Sequence, residues 1–149
     1  KTMLLSNAIE KWQDNPTYKE PSTIHWFVWL LENPKSPISL TGAIDLYNHD
    51  IIHILLDRGM LNRDEAMVIG FTMGNSEITS SWVRWLFEFC ARYLYPESYR
   101  FNEYDLLEFE KGYAYGYTRT RRNIHLAEFD VKRDIEEIRK EWGIKLINI

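Results

Sequence analysis

Along this chain apolar side chains recur every three to four residues and rarely every second residue, the spacing that sets one side of a helix, not one face of a strand, against a core. The first such segment covers 3–13 and ends ahead of Asn15-Pro16; the second, IHWFVWLLEN, ends at Pro34. Pro16, Pro21, Pro34 and Pro37 punctuate this part, because proline lacks the N–H that a helix interior needs. A third helix is expected over 39–57, closed at Arg58-Gly59 with the glycine as a left-handed cap, and a fourth, opened by Asn62, carries DEAMVIGFTMGN. A fifth, over 78–95, sets Trp82, Trp85, Leu86, Phe89 and Tyr93 on one core-facing stripe and ends at Tyr95-Pro96. A sixth covers 102–118 with Asn102 as its cap. The last, over 130–142, opens at Asp130, turns Val131, Ile135, Ile138 and Trp142 inward, and stops at Gly143. Together these predict an all-α fold, a compact single-domain bundle of about six to seven helices, with 119–129 as its longest interior loop.

Composition narrows the class of function. With 149 residues, 45% hydrophobic and 27% charged, the chain is one ordinary globular domain able to bury roughly two thirds of its unfolded surface. A net charge of −4 gives no basic footprint for nucleic acid. One cysteine, Cys90, forms no internal disulfide, which fits a reducing, cytoplasmic setting. No apolar run reaches the ~18–20 residues of a membrane span, and no secretory pattern stands at the start. The chain begins at Lys1, so its numbering is expected to start inside a longer one.

The densest chemistry lies in NHDIIHILLDRGMLNRDE, residues 48–65. On a helix His49 and His53 are about 40° apart, and Asp50 falls within the same ~100° arc. Glu65 follows after eleven further residues, past the turn at Gly59, where an antiparallel helix hairpin brings it back beside His53. Imidazole nitrogens with carboxylate oxygens suit a borderline divalent ion: zinc first, then iron, cobalt or manganese, with magnesium also admitted. A blander account competes with this. Asn62 and Glu65 have capping-box spacing, paired histidines are often only hydrogen-bonded, and Asp50 can simply be solvated. The second glutamate of an HExxH protease is missing, and His25 and His125 complete no phosphohydrolase set.

His49-Asp50-Ile51-Ile52-His53, eleven residues, then Glu65, resembles the HDxxH-x11-E motif of the fourth-numbered COQ protein family of coenzyme Q (ubiquinone) biosynthesis. The tail DIEEIRKEWGI, Asp134 to Ile144, is similar to that family's closing L-x-x-L-R-x-x-L-G-I. The resemblance implies an all-α fold, a divalent metal at His49, Asp50, His53 and Glu65, and a polyprenylated ring precursor as ligand. It also implies oxidative decarboxylation at the ring carbon that carries the carboxylate. The alternative within it is a non-catalytic prenyl-lipid-binding scaffold with a structural metal. Other quinone-biosynthesis proteins, a peripheral membrane surface and a second copy of the chain are the partners it suggests. The stretch MVIGFTMGNSEITSSW departs from the family's eukaryotic members.

A prenyl tail needs an apolar groove and an anionic head needs a donor. Gly70 and Gly74, with Met67 and Met73 beside them, and Gly112 and Gly116, with Tyr113 between, are candidates to line such a groove, although paired glycines also serve tight helix packing. Arg119, Arg121 and Arg122 are candidate anion or lipid head-group ligands, against the simpler account of a solvated loop.

Overall fold

The structure is a computed structural model that describes residues 3–15, 46–77, 84–85, 88–94 and 100–149. The IHWFVWLLEN segment, the four prolines before position 38, the start of the third expected helix, and Trp82, Leu86, Tyr95 and Pro96 lie outside them. The fold is all-α, as the periodicity predicts: α1 is Leu5–Gln13, α2 Leu46–Leu55, α3 Asn62–Asn75, α4 Glu103–Tyr117 and α5 Ile135–Glu141. Between α3 and α4 lies one π-helical turn among the described residues, Cys90–Leu94.

Helix α3 is the axis of the domain. Every residue from Ala66 to Asn75 is buried, because VIGFTMG is apolar or small on all sides and leaves no face for water. It packs on α4 through glycines on both helices. A Cβ at Gly70 would lie 2.1 Å from the Phe109 carbonyl oxygen and one at Gly74 2.1 Å from that of Tyr113, while Gly112 and Gly116 would meet the Met67 and Phe71 carbonyls at 2.2 Å. The expected groove is therefore a closed crossing: these glycines admit backbone, and Met67 and Met73 are buried in the core.

Polar side chains fasten the helix ends. Asn75, fully buried, donates to the carbonyls of Gly116 and Arg121 (3.1 and 2.8 Å) and accepts from the Ile124 amide (2.8 Å), so every hydrogen-bonding atom of its amide is engaged. Arg122 donates to Gly116, Tyr117 and Gly74, and Arg119 to Tyr115 and Gly143. Those two arginines close helix C-termini and do not form a free basic cluster with Arg121, which pairs with Glu141. Tyr113 is likewise covered, with the Arg84 guanidinium 4.1 Å above its ring.

Three expected boundaries move, and one expected core face does not form. Helix α2 ends in a Schellman turn whose left-handed residue is Asp57 (φ 54°), not Gly59; Arg58 N–H reaches the His53 carbonyl and Asp57 N–H that of Ile54. Helix α3 is capped at Leu61, not Asn62, and the Asp64 carboxylate accepts the Leu61 amide at 3.2 Å. Helix α5 starts after Asp134, whose carboxylate accepts the Glu136 amide; the 131–135 backbone is first held by Met3, Leu5 and Ser6, while Asp130 makes a local turn that accepts the Lys132 and Arg133 amides. The stripe of Trp85, Phe89 and Tyr93 is exposed rather than core, with Trp85 stacked on Phe89 and Tyr93 tilted against Phe89.

Candidate metal centre

Helix α2 carries two imidazoles one turn apart, and the Schellman turn at Asp57 folds the chain so that the first turns of α3 return beside them. The shift of the α3 cap to Leu61 matters here. It gives the capping role to Asp64 and leaves Glu65, one residue further round the helix, facing α2. Glu65 then straddles the two histidines. Its Oε2 is 3.0 Å from His53 Nε2, its Oε1 makes a short contact with His49 Nε2, and the two Nε2 atoms are 3.2 Å apart. Ligand atoms on a tetrahedral ion with ~2.1 Å bonds stand about 3.4 Å from one another, and cis ligands on an octahedral one about 3.0 Å. The two longer separations therefore fit one shared cation, and the shorter one needs a small opening.

Burial is graded across the group. The His53 side chain is 1% exposed, His49 13% and Glu65 32%, so the centre is dry on the α2 side and reachable from the Glu65 side. Burial by itself would raise the Glu65 carboxyl. The charges of His53 and His49 and the hydrogen bonds from both rings outweigh it and hold that carboxyl well below the ordinary range, so it is ionised at neutral pH, as a ligand must be. The position of Glu65 near the N-terminus of α3 acts in the same direction.

Asp50 lies alongside and does not join the convergence. The mutually close ligand atoms belong to His49, His53 and Glu65, all within 4.8 Å of one another. Partial burial raises the Asp50 carboxyl, and the two histidines pull it back only in part. With a divalent ion bound and both imidazoles neutral as its ligands, the two carboxylates would carry the complementary charge of −2. Trp12, from α1, supplies a wall with its ring 5.0 Å from that of His53, and its indole lies near enough to Asp50 to favour the carboxylate without reaching full hydrogen-bond geometry. Nothing in the spacing of α1 marks Trp12 for this position, since the contact spans some forty residues of sequence.

The structure thus brings together three of the four expected ligands and places Asp50 at their edge. Met67, Gly70, Met73, Gly74 and Tyr113 are in or against the α3–α4 crossing, and Arg119, Arg121 and Arg122 are bound to carbonyls and Glu141. What fold and site define is an all-α domain with a His–His–Glu group able to hold a metal ion. Set against protein-family models, curated proteins and solved structures, the chain matches none.

Proposed function

We propose that this is a metal-dependent protein of prenyl-lipid metabolism, in which His49, His53 and Glu65 hold a divalent cation beside Asp50 and a polyprenylated ring precursor approaches from the Glu65 side. The observation that carries the reading is the meeting of three donor atoms whose positions in the chain have HDxxH-x11-E spacing. Bound there, the ion supplies Lewis acidity toward a ring oxygen or carboxylate. The chain's own contribution is to keep Glu65 ionised, to exclude water behind His53, and to leave one side open. Support for the quinone-precursor ligand is the motif and the closing IEEIRKEWGI.

Elemental analysis and zinc titration of the purified chain test the metal. His49→Ala and His53→Ala should each abolish stoichiometric metal and leave the helical circular dichroism intact; full metal content in either variant refutes the reading. Mass spectrometry of an organic extract should recover a prenylated ring compound. A coordination sphere saturated by four protein ligands, with no exchangeable position, would instead favour a scaffold with a structural ion.

A further inference from the structure

A second constellation, sharing no residue with the histidine group, lies between the 121–130 loop and α5. A cavity of about 220 Å³ opens there. Its floor is apolar: Ile138 and Trp142 are buried, and the Phe129 ring stands 6.4 Å from that of Trp142. Its rim is cationic at one point. Arg121 and Arg133 converge on the two oxygens of Glu141, one guanidinium on each. The Arg121 guanidinium also lies 4.2 Å from the centroid of the Trp142 ring, which holds its flat fork over the indole.

The donor count is unbalanced. Each of these guanidiniums carries five N–H groups, and each directs one terminal nitrogen at Glu141 with no further acceptor among the described residues. Glu141 takes one contact from each cation; Glu137 and Asp130 also act on Arg133 through their charge, and Asp130 accepts the Lys132 amide. Glu141 therefore occupies a position that an incoming carboxylate can share or take over, and the ring surface beneath suits the body of such a molecule.

We infer that this cleft binds a small organic carboxylate with a flat apolar body, whose carboxylate engages Arg121 and Arg133 in competition with Glu141 while its body lies on Trp142 and Phe129. Guanidinium pairs recognise carboxylates through parallel charge-assisted hydrogen bonds, and the contact with Glu141 is an internal instance of that recognition. The signs of the substitution effects are fixed by the competition. Removing the Glu141 charge strengthens ligand binding, whereas a purely structural ion pair gives no such gain.

The experiment is a titration of the full chain with benzoate, followed by the Trp142 indole N–H resonance, with benzyl alcohol as a neutral body of the same shape and inorganic phosphate as an anion without one. Benzoate should saturate; benzyl alcohol, which lacks the charge-assisted contact, and phosphate, which lacks the apolar body, should each bind about tenfold more weakly. Glu141→Gln should tighten benzoate severalfold, and Arg133→Gln should weaken it about tenfold with circular dichroism unchanged. Benzyl alcohol binding as well as benzoate, or Glu141→Gln leaving benzoate affinity unchanged or lower, overturns the inference. Glu141→Gln decides the matter by itself should Arg133→Gln fail to fold.

Discussion

Two adjacent acids at the start of α3 do opposite work. Asp64 closes the helix end through the Leu61 amide, and Glu65 joins the histidines. Asp64→Ala should therefore cost about 1 kcal/mol of stability, the usual value of a lost N-terminal cap, with metal binding retained. Glu65→Gln should lower the urea midpoint at neutral pH, because the stability its depressed carboxyl contributes there is lost, and should weaken zinc about tenfold or more, since a neutral amide is a poor ligand. A Glu65→Gln protein with unaltered zinc affinity would return this residue to a merely structural role. A further restraint on affinity comes from His53. Its Nδ1 is buried with no acceptor among the described residues, and ligation through Nε2 places the proton on that atom, at a cost of about 1–3 kcal/mol. At this scale the candidate ligands were legible because HDxxH and the distant acid are local facts of spacing. The division of labour between Asp64 and Glu65 was not, because it depends on a cap position displaced by a single residue and Leu61 has no capping chemistry to announce it.

At the scale of elements, the α3–α4 crossing is the most extensive helix contact among the described residues and leaves the least room for change. Gly70→Ala or Gly112→Ala drives a methyl into backbone oxygen at 2.1–2.2 Å, and backbone cannot step aside as a flexible side chain can. Each should cost about 1–3 kcal/mol or more in urea unfolding, the range of an overpacked core. Gly59→Ala is the control, because its methyl meets only the end of the Asp64 side chain at 3.2 Å, and it should stay within about 0.5 kcal/mol. Equal losses at Gly59 and Gly70 would mean that the crossing is looser than its geometry. The existence of α1, α3, α4 and α5 was legible from period and caps, Asn102 above all, whose side chain accepts the Asp105 amide while its own amide meets the Asp105 carboxylate. Which apolar surfaces meet was not. Periodicity marks a side of a helix as apolar without naming its partner, so the glycines pointed equally to a groove and a crossing, and the rings at Trp85, Phe89 and Tyr93 were expected in the core.

Across the whole molecule the closing IEEIRKEWGI acts on the candidate centre from a distance. Arg139 donates to the Leu55 and Ile54 carbonyls (2.8 and 2.9 Å) and so caps the C-terminus of the helix that carries His49 and His53, while Ile135, Ile138 and Trp142 bury beside it. The two separated motifs of the sequence are thus one structural unit, and that unit has a predictable response to acid in the metal-free protein. Burial holds His125 below its ordinary 6.5, so as pH falls through 6.5 the unfolded chain takes up a proton that the fold refuses, and stability declines. Asp50 and Glu88, raised by burial, act with the opposite sign and add stability as they protonate above their ordinary 3.8 and 4.5. Below 4.5 the lowered carboxyls of Glu65, Glu108 and Glu141 dominate, since their contribution is lost as pH falls from 4.5 through their folded values. Urea midpoints measured from neutral pH downward should therefore fall gently at first and steeply below 4.5. His125→Gln should remove the decline that begins at 6.5, and Glu65→Gln should flatten the acid limb. An acid limb as steep in Glu65→Gln as in the parent protein would show that the carboxylate gains nothing from its two imidazoles, and with that the electrostatic basis of the centre would be gone.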